Sequence, residues 1–326
     1  MATFLTTPRM SPELAARVEE SVSGRKKRNA GRRATVIARF AALGVIVAGA
    51  VAFVVAKPSC RDDVDQERAV FLDEIRDATA DITADDLVMV TRVAGWLGVH
   101  AGAYEGDLVS DELRDSAGFY AAIGRPIVYV RGPIEALANA DGLVTSAEDS
   151  FRDAFVLCLV SPPDKRTEKS LLSRARMAFA GGEISGAKVE RFQSALLAAP
   201  VLEPAWIEKV NEAGSQKELG ALRAALKKAQ LETGKRAMKS ELLLALQDEP
   251  KEGDRPSELD GANPHHVRVV LVEISTGKVL LRLRKFVDPS WISEGSRVEY
   301  ATGINACELA LDVRAAVLPA DAVRAK

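Results

Sequence analysis

Residues 267–287 read VRVVLVEISTGKVLLRLRKFV. Val267, Val269 and Leu271 alternate with Arg268 and Val270, and Val279, Leu281, Leu283 and Val287 alternate with Leu280, Arg282 and Arg284. Successive side chains of a strand point to opposite faces, so this period of two predicts a hairpin with one buried face and one partly basic face. Ser275, Thr276 and Gly277 supply the turn. A chain with such a hairpin has to bury its apolar face against something, and the residues on either side supply helices.

Downstream, Asp288 followed by Pro289 predicts the cap of a final helix whose inner face carries Tyr300, Ile304, Cys307 and Leu311. Upstream, residues 248–264 are rich in Asp, Glu, Gly and Pro and read as an exposed acidic loop. The runs Arg125 to Arg131, Ala154 to Val160 and Leu242 to Leu246 are short and apolar, and are read as strands. Among the helices, Leu172, Ala175 and Phe179 mark one; Val189, Phe192 and Leu196 mark another that ends before Pro200; and Pro204 opens a third. Ser215 with Glu218 forms a capping-box pattern ahead of Leu219, Leu222 and Leu226. Phe71, Ile75, Ala78 and Ile82 share one helical face, and Leu87, Val90, Ala94 and Leu97 share another after the candidate cap Thr83. The expected fold class is therefore α/β, in the mixed α+β sense: helices with a sheet that includes the hairpin.

The 326 residues have a formal net charge of −2, with 28% charged and 47% hydrophobic residues. That composition excludes wholesale disorder, a collagen-like repeat and a multi-pass membrane protein. The charge is unevenly divided. Residues 1–57 hold 10 Lys and Arg against 3 Asp and Glu, whereas residues 58–326 hold 34 against 43. From Val36 to Ala56 the one charged residue is Arg39, and 21 helical residues at ~1.5 Å each match the hydrocarbon core of a bilayer. Arg25, Lys26, Lys27, Arg28, Arg32 and Arg33 precede that run, and Asp62, Asp63 and Asp65 follow it, which places the amino terminus in the cytoplasm. A cleaved secretory signal is the alternative, although its leader would exceed the usual ~15–30 residues.

The resulting organisation is a basic cytoplasmic tail at 1–33, a transmembrane signal-anchor helix at 34–57, a helical neck at 58–122 and a mixed α/β periplasmic domain at 123–326. The expected setting is a bacterial inner membrane, crossed once. The hairpin from Val269 through Thr276, Gly277, Lys278 and Val279 resembles one in periplasmic α/β domains such as the amino-terminal domain of the Tol translocation β-propeller protein and the curli-secretion lipoproteins. The resemblance is confined to the hairpin, implies an envelope-facing domain and transfers no functional residue.

Chemistry is less legible. Cys158 and Cys307 both fall on apolar faces and are candidates for a disulfide, the alternative being two inert buried thiols. His100, His265 and His266 make neither an H-E-x-x-H nor a zinc-ligand spacing, and the adjacent pair reads as a solvated loop end. Ser23–Lys26, Ser185–Lys188 and Ser275–Lys278 match S-x-x-K without companion motifs, and Gly181 to Lys188 misses the phosphate-loop spacing. Carboxylate pairs such as Asp85 with Asp86, and Asp248 with Glu249, are read as solvated charge. No catalytic, metal or cofactor site is assigned, and neither a cofactor nor a nucleic-acid partner is expected.

Arg268, Lys278, Arg282 and Arg284 form a candidate partner surface for an envelope protein or an anionic polymer, the alternative being a strand face whose charges meet nearby carboxylates. The expected partner of residues 34–57 is the lipid bilayer. The functional expectation is a periplasmic binding or scaffolding module of the cell envelope, with a membrane-anchored envelope hydrolase built from dispersed residues as the alternative.

Overall fold

The computed structural model describes residues 59–150, 153–180, 188–250 and 264–318. The expected tail at 1–33 and membrane segment at 34–57 lie outside the described residues, as does most of the acidic loop, at 251–263. Among the described residues, no helix is long and apolar enough to cross a membrane.

A six-stranded mixed sheet organises the chain. Its strands are β1 (Leu108–Val109), β2 (Pro126–Pro133), β3 (Lys188–Arg191), β4 (Leu242–Asp248), β5 (His265–Glu273) and β6 (Val279–Val287), in the order β1-β6-β5-β4-β2-β3. β2 is parallel to both β3 and β4, and the other pairings are antiparallel. The hairpin is in place, with Leu271 opposite Leu281 and Val269 opposite Leu283. Gly277 turns it at φ +74°, and a Cβ there would lie 2.2 Å from the Trp96 ring. That indole donates from Nε1 to the Ile274 carbonyl, so glycine serves both the turn and the close approach.

Helices cover both faces of the sheet. In chain order they are α1 (Ser59–Thr79), α2 (Ala84–Leu87), α3 (Met89–His100), α4 (Ser116–Ile123), α5 (Ile134–Leu137), α6 (Ala140–Asp149), α7 (Phe155–Val160), α8 (Glu168–Phe179), α9 (Phe192–Leu202), α10 (Pro204–Glu212), α11 (Gln216–Lys228), α12 (Leu231–Met238) and α13 (Glu294–Val317). One core layer joins Ile127, Tyr129, Leu244 and Leu246 of the sheet to Phe119, Phe155, Leu171 and Ile304. The opposite layer joins Val128, Val130, Leu243 and Ala245 to Phe71, Met89, Val93, Phe192 and Leu219. Neighbouring positions of β2 and β4 thus feed different cores, which explains why these strands read as unbroken apolar runs.

Several expectations change. The stretch expected as a separate neck, 58–122, is built into the same body: Phe71, Ile75 and Leu97 enter the second core, and β1 pairs with β6 through Leu108 and Val109. Ala154–Val160 is not a strand but the helix α7, with Phe155 through Leu159 all buried. An apolar run with no alternation fits either state, and here a helix surrounded by core wins. Val189 lies in the strand β3, and α9 begins only at Phe192 and carries Pro200 within it. Asp288 caps a separate 3₁₀ turn, Pro289–Trp291, by accepting from the Ser290 N–H at 2.9 Å, and α13 starts beyond it.

The caps read from sequence have instructive detail. Thr83 and Asp86 form a complete capping box at α2. Ser215 caps α11 by accepting from Glu218 N–H, while the Glu218 carboxylate reaches one residue further back to Gly214 N–H at 2.7 Å.

Lys235 of α12 and Lys239, which follows it, both donate to Asp81, at 2.9 and 2.7 Å. Those hydrogen bonds, Lys239 first, hold the Asp81 carboxyl down to about 2. A carboxylate depressed in the folded state contributes stability above its unfolded pKa, and that contribution is lost as pH falls towards the folded value. Wild-type protein is therefore expected to lose part of its urea resistance between about pH 4 and pH 2 that an Asp81→Asn variant has already lost; parallel pH profiles for the two would show that the pair contributes nothing.

Candidate functional site at the carboxyl ends of the parallel strands

The alternation that buries Ile127 and Tyr129 on one face of β2 also sends Arg131 there, and the alternation of Leu242, Leu244 and Leu246 sends Asp248 to the same face. Parallel register sets Arg131 opposite Leu246 and Pro133 opposite Asp248, so both charged groups lie at the carboxyl ends of their strands. In open α/β sheets this is where ligands gather. β5 runs the other way, and its first residue, His265, overhangs Asp248.

The side chains converge. Arg131 donates to Asp248 through Nε at 3.1 Å and Nη2 at 2.9 Å, and through Nη1 to Asp153 at 3.3 Å. His265 Nε2 lies 2.8 Å from Asp248 Oδ1. Tyr129 donates to Asp153 Oδ2 at 2.5 Å, and its ring stacks on Phe155 with centroids 6.3 Å apart. Asp153 also accepts from Phe155 N–H at 3.1 Å, which ties the cluster to the start of α7. The side chains of Arg131, Asp153, Asp248 and His265 are all at most 4% exposed. β3 ends opposite Tyr129, and Ser150, the residue that follows α6, supplies what that strand no longer can: its Oγ accepts from Arg131 N–H at 2.8 Å.

Charge is unequally shared. Burial pushes the Asp153 carboxyl above its usual range, and Arg131 offsets this only in part. Burial also acts against the Asp248 carboxylate, but the Arg131 charge and the hydrogen bonds from His265 and Arg131 outweigh it and hold that carboxyl low. Burial and the Asp153 charge raise the Tyr129 phenol well above its usual value. The arrangement is a fixed ionic frame in which a bidentate guanidinium holds the ionised aspartate. Two readings from sequence are corrected here: Asp248 and Glu249 are buried rather than solvated, and His265 is a core residue rather than a loop end.

The basic hairpin residues sit elsewhere. Arg268 and Arg284 share Glu249, with Nε of Arg268 and Nη2 of Arg284 as donors, the latter at 2.7 Å. Arg268 also donates to the carbonyls of His100 and Gly102 and so caps the end of α3. Arg282 pairs with Glu105 and donates to Gly106 O at 2.9 Å. Lys278 meets Glu112 at 2.7 Å. All four candidate surface residues thus have a carboxylate of this chain as partner. Two of those carboxylates, Glu105 and Glu112, come from the stretch expected as a neck, and no hairpin pattern could reveal them.

Cys158 of α7 and Cys307 of α13 form a disulfide with Cα atoms 5.1 Å apart, inside the same core layer as the ionic cluster. Among the described residues, no group of three or more His, Cys, Asp or Glu is placed to hold a metal ion. No family model, curated protein or solved structure matches this chain.

Proposed function

We propose that the chain is a single-pass envelope protein of the inner membrane, with residues 1–33 in the cytoplasm, an anchor at 34–57, and an exported α+β body that acts as a binding or scaffolding module. The observation that carries the exported half of this reading is the core disulfide. A bridge between residues 149 apart in sequence suits an oxidising compartment and is rare in a reducing one. Its support is independent of the charge asymmetry around residues 36–56, and both favour the same side for 58–326.

Binding is favoured over hydrolysis by the state of the polar cluster. Arg131 engages both oxygens of Asp248, and the cluster lies under core side chains, which suits a rigid support better than a group that exchanges protons with substrate. An acidic partner at the hairpin would have to displace carboxylates of the chain itself. The pair Lys278 with Glu112 is the most exposed of them and the place for such an exchange to begin.

Carboxyl-terminal reporter fusions test the topology. The expected result is activity of a reporter that works only outside the cytoplasm, together with a mature chain that retains residues 34–57. A cytoplasmic carboxyl terminus defeats the proposal, and a mature chain beginning near Lys57 replaces the anchor with a cleaved leader. Capture from detergent-solubilised membranes, repeated with Lys278→Glu, then identifies what the module holds.

A further inference from the structure

Where α3 ends against the hairpin, a cavity of about 20 Å³ is lined by Val99, His100, Tyr104, Arg268, Val270 and Arg282, with Ala103 and Glu105 completing its wall. That is room for one small occupant, since a single water needs roughly 10–15 Å³. His100 Nε2 is buried there with no hydrogen-bond partner among the described residues. Burial, and then the neighbouring guanidinium of Arg282, keep this imidazole below its usual range, so it is neutral near pH 7.

The two arginines are only partly spent. Arg268 uses Nε and Nη1 on Glu249 and on the carbonyls of His100 and Gly102, and Arg282 uses Nε and Nη1 on Gly106 O and Glu105. The Nη2 group of each donates no hydrogen bond among the described residues. The Tyr104 hydroxyl is turned away as donor to Asp107, and the ring lies 5.5 Å from the Arg268 guanidinium carbon. Apart from Glu105, whose carboxylate is held by Arg282 and mostly exposed, and the His100 Nε2, which donates or accepts according to tautomer, the lining side chains offer guanidinium N–H donors or hydrocarbon.

We infer that this cavity is a binding site for one small monovalent anion of halide size, held by the His100 ring, Arg268 and Arg282. In its Nε2–H tautomer the neutral His100 ring joins the two guanidiniums as a donor to an occupant that only accepts, whereas in the Nδ1–H tautomer Nε2 would instead accept from a water. Such an ion fastens the segment after α3 to β5 and β6, so its binding stabilises the folded chain by mass action.

The test uses the full chain in detergent, melted at constant ionic strength in sodium chloride, bromide or gluconate. Chloride and bromide at about five times their dissociation constant are expected to raise the midpoint by roughly 2–4 °C over gluconate. His100→Phe, which fills the void, and Arg282→Gln are each expected to abolish that difference, and His100→Gln, which keeps a donor, to retain it. Crystals grown in bromide are expected to show an anomalous peak between His100 and the two arginines. Equal midpoints in the three salts, a halide response that survives both His100→Phe and Arg282→Gln, or an ordered water with no bromide peak in the cavity would each overturn the inference.

Discussion

Arg131→Met is expected to destabilise the protein by about 3–5 kcal/mol, because it leaves Asp153 and Asp248 buried without their counter-charge. For a body of this size that corresponds to a fall of roughly 6–20 °C in the melting midpoint. The cost belongs to the stranded carboxylates and not to the absent guanidinium. Adding Asp153→Asn and Asp248→Asn to Arg131→Met is therefore expected to restore much of the loss. The cluster also has an acid signature, in which two effects oppose each other. The depressed Asp248 contributes stability above its unfolded value of about 3.8, lost as pH falls through its folded value. The raised Asp153 acts in the other direction, since folding favours its protonated form and stability declines as pH rises from that same point. Urea midpoints for wild type and the two single Asn variants separate the contributions. A single Arg131→Met variant within 1 kcal/mol of wild type would show that the carboxylates find other partners.

The second large effect belongs to the disulfide. Closing a loop of 149 residues restricts the unfolded chain by about 5 kcal/mol in the chain-entropy picture, and losses of native bridges usually run ~2–5 kcal/mol. Cys158→Ala with Cys307→Ala is expected to fall in that range, with a further contribution from the small voids left in a packed core. Both cysteines are fully buried, so a reductant has no path to the bridge in the folded protein. Wild type is expected to resist reduction until urea opens it and then to refold with a lower midpoint. Full reduction, verified by alkylation, with no change in the midpoint would show that the bridge does not set stability.

The legible parts of the fold were those where one periodicity had no rival. Val267 to Val287 could not be a helix with its residues alternating as they do, and the Thr83 and Ser215 caps follow from local side-chain chemistry. Ala154–Val160 failed because periodicity is silent when every face is buried, and the choice between strand and helix was made by the surrounding core. The polar cluster was hidden by the opposite error. By composition Asp248 and Glu249 group with the acidic loop that follows them, although Asp248 continues the inward phase of Leu242, Leu244 and Leu246, just as Arg131 continues that of Ile127 and Tyr129. Following the phase of a strand past its last apolar residue would have found both. The same phase followed backwards along β5 from Leu271, Val269 and Val267 reaches His265. Asp153 lies outside the strands and carries no such signal.

The position at which α1 begins has a consequence for reach. Two residues, Lys57 and Pro58, separate the apolar stretch ending at Ala56 from Ser59, which gives about 7 Å of slack even if fully extended. α1 is fastened to the rest through Phe71 and Ile75, so the body turns with it rather than trailing on a leash. A compact body of roughly 260 residues has a radius of gyration of about 18 Å. Anchored at 34–57, it would sweep only a shell a few tens of ångströms deep over the bilayer, which favours neighbours in the same membrane over structures further out in the envelope.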